Sequence, residues 1–198
     1  TSFYNPSLLN ADMNGDLILN YVNYFAGINF GYVAYGFHTE KYGNFSAGLH
    51  YLNYGEFTAA DENGTITGTF GAADYALNLI WAKELYPGIS AGLNLKPIYS
   101  HLEKYSSVGL VSDIGITYFK KKENFSLSLV LKNFGMQITA YRAENREPVS
   151  TDLNAGISKR LAHAPFRLNL TAHHLFRWDL SKPEEDTRIS IYDETNDE

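Results

Sequence analysis

Along most of this chain apolar and small polar residues alternate with a period of two. Residues 88–100, GISAGLNLKPIYS, place Ile89, Ala91, Leu93, Leu95, Pro97 and Tyr99 on one side. Ser90, Gly92, Asn94, Lys96 and Ser100 fall on the other, with Ile98 out of phase. Successive strand side chains point to opposite faces, so the pattern predicts a strand with one apolar surface. The polar face is the more informative one. A sheet face in open water usually carries Lys, Glu and Arg, whereas this one is small and mostly uncharged, as in a crowded interior. The expectation is a β-barrel whose apolar side faces lipid.

The same pattern predicts strands over 17–24, 28–38, 43–54, 74–84, 88–100, 107–119, 125–133, 152–160 and 166–174, with a weaker tenth over Thr187–Tyr192. Residues 1–15, TSFYNPSLLNADMNG, lack the alternation and carry turn formers. Asp61-Glu62-Asn63-Gly64 reads as the turn of a long hairpin. Connections after even-numbered strands are short, at 39–42, 85–87, 120–124 and 161–165. Those at 55–72, 134–151 and 175–198 are long, 101–106 is intermediate, and 25–27 is a short exception. Short turns at one end and longer loops at the other is the organisation of an outer-membrane barrel. A soluble lipocalin-like barrel is the competing fold. No segment holds a helical apolar stripe over three turns.

Composition narrows the class. Hydrophobic residues make up 44% of 198, yet mean hydropathy is -0.26. No apolar run approaches the roughly 20 residues of a spanning helix, which excludes a helical membrane protein and not a barrel. Fifteen Tyr, 12 Phe and 2 Trp suit interfacial belts. Cysteine is absent, removing disulfide and thiolate chemistry. A net charge of -6 argues against nucleic-acid binding. Thr1-Ser2-Phe3 has neither a basic start nor an apolar leader, so the expectation is export with cleavage, or a piece of a longer chain.

Candidate chemistry is sparse. There is no phosphate-binding Gly loop, no HExxH and no nucleophile elbow. His173-His174 is the one pair that invites a metal, but strand neighbours face opposite ways. No catalytic, metal or cofactor site is expected. His50 and His173 fall on polar faces, as groups expected to hydrogen-bond in the lumen. Ser90, Asn94, Lys96, Asp113, Lys132 and Arg167 are the candidate lumen-facing polar residues, with Arg160 on the same face. Unpaired charge there is costly, so ion pairing against an inserted plug, or a substrate channel, is expected. Gly48, Gly92, Gly115 and Gly156 would leave room for inserted backbone.

Several stretches together resemble a known family. YNPSLL (4–9) looks like the Asn-Pro-Ala region that ends the luminal plug of FadL-type outer-membrane barrels. LNYVNYFAGINFGYVAYGFH (19–38), ITGTFGAADYALNL (66–79), NLKPIYSHLEKYSS (94–107) and NREPVSTDLNAGISKRLAHAPFRLNLTAHHL (145–175) resemble the PorQ family, FadL-like components of the Bacteroidota type IX secretion system. The resemblance spans most of 4–180. It implies an all-β, antiparallel transmembrane barrel of about 14 strands in the outer membrane. Here about nine or ten strands would be present, with 1–15 as the end of the N-terminal luminal plug and 16–198 as a partial barrel. It further implies a non-enzymatic anchor in the cell-surface attachment complex. Its partners would be outer-membrane lipid, lipopolysaccharide and PorZ-like, PorU-like and PorV-like proteins. A FadL-like channel for hydrophobic small molecules and a PorV-like cargo shuttle are the alternatives.

With the first strand rising after the plug, odd-numbered connections become extracellular. Phe57, Tyr141, Arg142, Arg146, Phe176 and Trp178 then form a candidate partner-docking rim, because aromatic and Arg side chains are common interface anchors. An open sheet edge cannot face hydrocarbon, so these residues alone are not expected to close a barrel. Leu129 is expected on the lipid face, with Ser128 opposite it at a substitution-tolerant position.

Overall fold

The structure, a computed structural model, describes residues 2–141, 148–161 and 164–176. Nine antiparallel strands follow one another in a single sheet: β1 (Leu17–Asn23), β2 (Asn29–Thr39), β3 (Gly43–Ala60), β4 (Ile66–Tyr86), β5 (Ile89–Leu102), β6 (Tyr105–Lys120), β7 (Phe125–Thr139), β8 (Asp152–Arg160) and β9 (Arg167–Ala172). Each pairs with the next, and among the described residues β1 and β9 are the edges, so the sheet they form is open rather than closed into a barrel. Among the described residues the remaining regular structure is short 3₁₀ turns. No helix among the described residues is long and apolar enough to cross a membrane, which says nothing of a β-barrel.

All nine segments predicted from the alternation are strands, but three run longer than expected. β3 and β4 continue past Asn53 through a bulge in which Gly55 takes a φ of 81°. The stretch 55–72, read as a long connection, is therefore mostly a two-stranded arm. β7 continues to Thr139 because Asn133 adopts a φ of 54° in a bulge, after which pairing resumes at Ser112↔Phe134. Gly and Asn look like strand ends in the sequence, and here they absorb one extra residue inside a ladder. Residues 101–106 contract to a tight turn at Glu103-Lys104, with Glu103 at a φ of 54°. Short turns thus occur at both ends of the sheet. The tenth candidate, Thr187–Tyr192, lies outside the described residues.

Pairing brings like residues together in rows. One row runs Phe37, Phe45, Trp81, Leu93, Ile114, Leu131 and Leu153 across β2 to β8. The next position inward along the same strands reads Gly36, Ser46, Ile80, Asn94 and Asp113 on the opposite face. Exposure is the reverse of an ordinary soluble sheet. Leu93 is 40%, Leu129 45% and Leu170 71% exposed, while Asn78, Asn94 and Asp113 are at 1% or less. Large apolar side chains cover the outer surface, while amides and a carboxylate are among the most deeply buried side chains of the inner one.

The polar face is inner because the N-terminal segment lies on it. Asn5 and Asn10 cap the 3₁₀ turns Pro6–Leu8 and Ala11–Met13, each accepting the N–H two residues on. Leu9 packs with Ile80 and Ala82, joined by Met13. Gly15 N–H donates to the Gly36 carbonyl, and Gly36 N–H donates to Asp16, leading the chain into β1. The close approach needs glycine: a Cβ on Gly92 would lie 2.4 Å from the Pro6 carbonyl carbon and 2.5 Å from the Ser7 nitrogen. A Cβ on Gly115 would lie 2.4 Å from Asn5 Oδ1.

Gly92→Ala should therefore lift the segment off the sheet and cost about 1–3 kcal/mol, the usual cost of overpacking. Gly156→Ala, on the same face with its nearest neighbour at 3.8 Å, should be close to neutral. Thermal unfolding and protease sensitivity of residues 2–13 would separate the two. Equal behaviour of the variants would refute the seating of the segment.

Candidate functional site

The inner face holds a polar spine across β4 to β7. Asn94 Nδ2 donates to Asn78 Oδ1 at 3.2 Å and to Asp113 Oδ2 at 3.4 Å. Lys96 Nζ pairs with Asp113 Oδ1 at 2.8 Å and donates to Asn133 Oδ1 at 2.7 Å. The Asn133 backbone N–H donates to the same Asp113 oxygen at 2.8 Å. Asp113 sits at the register shift between Ser112 and Ile114, where Asn133 is the extra residue of β7. Its carboxylate thus replaces the ladder partner that the bulge removes. Lys96 supplies the countercharge that a carboxylate exposed to 1% requires. Asn94 Oδ1 is buried without a hydrogen-bond partner among the described residues.

One turn of the sheet away, the N-terminal segment is tied down. Asn5 Nδ2 donates to Thr117 Oγ1 at 3.1 Å, and Ser7 Oγ lies 2.7 Å from the same hydroxyl. Ser7 Oγ also donates to Asn5 Oδ1 at 2.6 Å. Thr117 Oγ1 is in turn 2.8 Å from Ser128 Oγ, carrying the network to β7. Phe3 stacks on His50 with centroids 5.4 Å apart, and Phe30 meets the same imidazole edge-on at 4.5 Å. Lys132 Nζ stands 5.3 Å from the Tyr4 ring centre.

Of the six lumen-facing candidates, Asn94, Lys96 and Asp113 come together in one network. Ser90, Lys132 and Arg167 line a cleft of about 1260 Å³ beside the N-terminal segment and take no part in the spine. Ser90 Oγ donates to the Lys83 carbonyl at 3.4 Å. Arg167 is exposed, on the edge strand β9. His173 Nδ1 lies 3.0 Å from Asn154 Oδ1 on the inner face of the sheet. His50 instead packs among aromatic rings. His174 turns to Asp152 at 3.2 Å, so the adjacent histidines serve different partners. Among the described residues no group of three or more His, Cys, Asp or Glu could hold a metal.

Sequence reasoning missed Asn5, Ser7, Asn78 and Asn133. Asn5 and Ser7 flank Pro6 in a capping pattern, which was a usable signal. Asn133 had none, since its role depends on a register shift.

Of the candidate docking residues, Phe57 stacks on Phe70 at 5.3 Å and remains 41% exposed. Tyr54 Oη donates to Asp74 Oδ2 at 2.6 Å. Phe176 is exposed and Tyr141 half-buried. Arg142, Arg146 and Trp178 lie outside the described residues.

Lys96→Met leaves Asp113 buried with its N–H donors but no cation, and should cost roughly 3–5 kcal/mol. Lys132→Met, over one ring face, should cost about 0.5–1 kcal/mol. Urea unfolding midpoints of the two variants would test the ranking, and a smaller loss for Lys96→Met would refute the spine's role.

No protein-family model, curated protein or solved structure matches this chain.

Proposed function

We propose that this chain forms part of the wall of an outer-membrane barrel, with its apolar face in lipid and its inner face filled by the N-terminal segment. The observation that carries this reading is the outer surface, where uncharged aliphatic rows lie between aromatic ones. Toward one end Tyr51, Tyr75 and Tyr99 stand side by side on β3, β4 and β5, with centroids 5.1 and 6.3 Å apart. Toward the other, Phe37 stacks on Phe45 at 5.1 Å, and Phe45 faces Trp81, whose indole N–H donates to the Tyr42 carbonyl. An apolar band between two aromatic girdles suits a bilayer and its two interfaces. In water the same surface would be a large exposed apolar patch.

The proposed role is a non-enzymatic anchor of a type IX secretion attachment complex, with PorZ-like, PorU-like and PorV-like partners. The assignment to that machinery rests on the PorQ-like stretches alone. An anchor suits an inner face covered by its own chain. The channel alternative is supported by the cleft of about 1260 Å³, but its lining includes Lys120, Lys121, Lys122, Lys132 and Asn154. Cations and amides suit a hydrophobic solute poorly. The rim of Phe57, Tyr141 and Phe176, with Arg142, Arg146 and Trp178 beyond the described residues, is the proposed docking side.

Two measurements test this reading. Full-length protein purified from native membranes should bring secretion-complex partners with it, identified by mass, and recovery with none of them would remove the anchor role. Leu129→Arg should destabilise the protein in lipid by roughly 2–4 kcal/mol if it sits near the midplane. Ser128 is no neutral control, because its hydroxyl joins Thr117. Ser126→Ala, on the same inner face, should change stability by less than about 0.5 kcal/mol. Equal folding yields for Leu129→Arg and wild type would count against a lipid-facing sheet.

A further inference from the structure

Beyond Gly55, where Ala26 and Gly27 lie against β3, the β3–β4 arm carries a strand edge unpaired among the described residues that, we propose, takes up an extended basic segment of a partner protein as an added β-strand. This rests on the reading that the arm stands outside the membrane. β2 leaves β3 at Asn29↔Asn53, and β5 leaves β4 at Ala72↔Leu102. Beyond those points, residues 56–60 and 66–71 pair only with each other among the described residues. A two-stranded ribbon is marginal in water by itself. Its sequence, GEFTAADENGTITGTFG (55–71), contains no Lys, Arg or Pro. Those are the residues that usually guard an exposed edge against pairing.

The two edges of the arm differ. On the β4 side, Thr67 is an extra residue between the pairs Ala59↔Gly68 and Ala60↔Ile66, and the Gly71 carbonyl already accepts from Glu103 N–H at 3.1 Å. The β3 side pairs without a shift from Glu56 to Ala59. The Glu103 bond also fixes which groups point outward. Gly71 turns its backbone toward β5, so Glu56, opposite it, turns its own away from β4. In an antiparallel ladder this orientation recurs every second residue, so Thr58 does the same. The N–H and C=O of Glu56 and Thr58 therefore face the open side, with Phe57 held by its stack on Phe70.

Charge selects the occupant. Glu56, Asp61 and Glu62 lie on the arm, and no Lys or Arg occurs between Lys41 and Lys83. A second copy would oppose like charges across the new pair, and anionic lipid headgroups would be repelled in the same way. A basic segment with alternating apolar residues gains both the backbone ladder and the countercharge.

The test uses the full-length protein in lipid nanodiscs and a fluorescein-labelled Lys-Val-Lys-Phe-Lys-Val-Lys peptide, read by anisotropy. Saturable binding is expected, weakened at least about tenfold by Thr58→Pro, which removes an outward N–H, and retained by Thr58→Val. Glu56→Lys should weaken it by a similar factor through charge, independently of any effect of proline on the arm. Hydrogen exchange should slow at the Glu56 and Thr58 amides when peptide is added. Unchanged affinity in both Thr58→Pro and Glu56→Lys would overturn the proposal, as would dimerisation through the arm that peptide does not compete. In intact cells Thr65→Cys, with no other cysteine among residues 1–198, should react with a membrane-impermeant maleimide. Failure to label would overturn the topology beneath the proposal, whereas labelling without peptide binding would overturn the edge site alone.

Discussion

Strand register is the constraint on which this structure depends. Side chains alternate across a strand, so a slip of one residue exchanges every inner group for an outer one. The β5–β6 ladder runs without a shift from Ile89↔Tyr118 to Leu102↔Tyr105. That single ladder sets Gly92 beside Gly115, where Pro6 and Asn5 approach, and Asn94 beside Asp113, where the polar spine begins. Displaced by one residue, the same strands would set Leu93 and Ile114 against the N-terminal segment and expose the spine.

The irregularities follow from the same constraint. Where a residue is inserted, pairing has to be restored before the faces drift out of phase. At the β6–β7 shift Asp113 accepts from Asn133 N–H and Lys96, and beyond it Phe134 and Met136 are outward again. The charge pair is therefore tied to geometry more than to net stability, since buried ion pairs are weak stabilisers when weighed against their desolvation. Serving as the anchor of a bulge explains why a carboxylate is buried on this face.

The conventional core is small, with Leu9, Ile80 and Ala82 as its buried centre. Most large apolar side chains lie on the outer surface instead. Backbone ladders, the inner polar network and the seating of residues 2–16 hold the described fold together. The outer surface contributes only in surroundings that favour it, which makes the environment part of the energetics.

In β2, with apolar residues on both faces, the β3 ladder was needed to turn Val33, Tyr35 and Phe37 outward and Tyr32 and Ala34 inward. The two-residue alternation by itself determined the all-β class and the positions of nine strands. It did so because strand periodicity is a local property of the backbone. The candidate site was only partly legible. Lys96 and Asp113 were marked as charges in need of partners, and the tertiary structure decided that they are each other's. His50 was on the expected face, yet Phe3 from a distant segment gave it an aromatic role. Asn133 and the extension of β3, β4 and β7 could not be read from the chain. A glycine or asparagine that ends a strand and one that bulges inside it look alike until the neighbouring strand supplies its hydrogen bonds. The seating of Asn5 and Ser7 on Thr117 spans 112 and 110 residues of sequence, and no local pattern encodes a contact of that range.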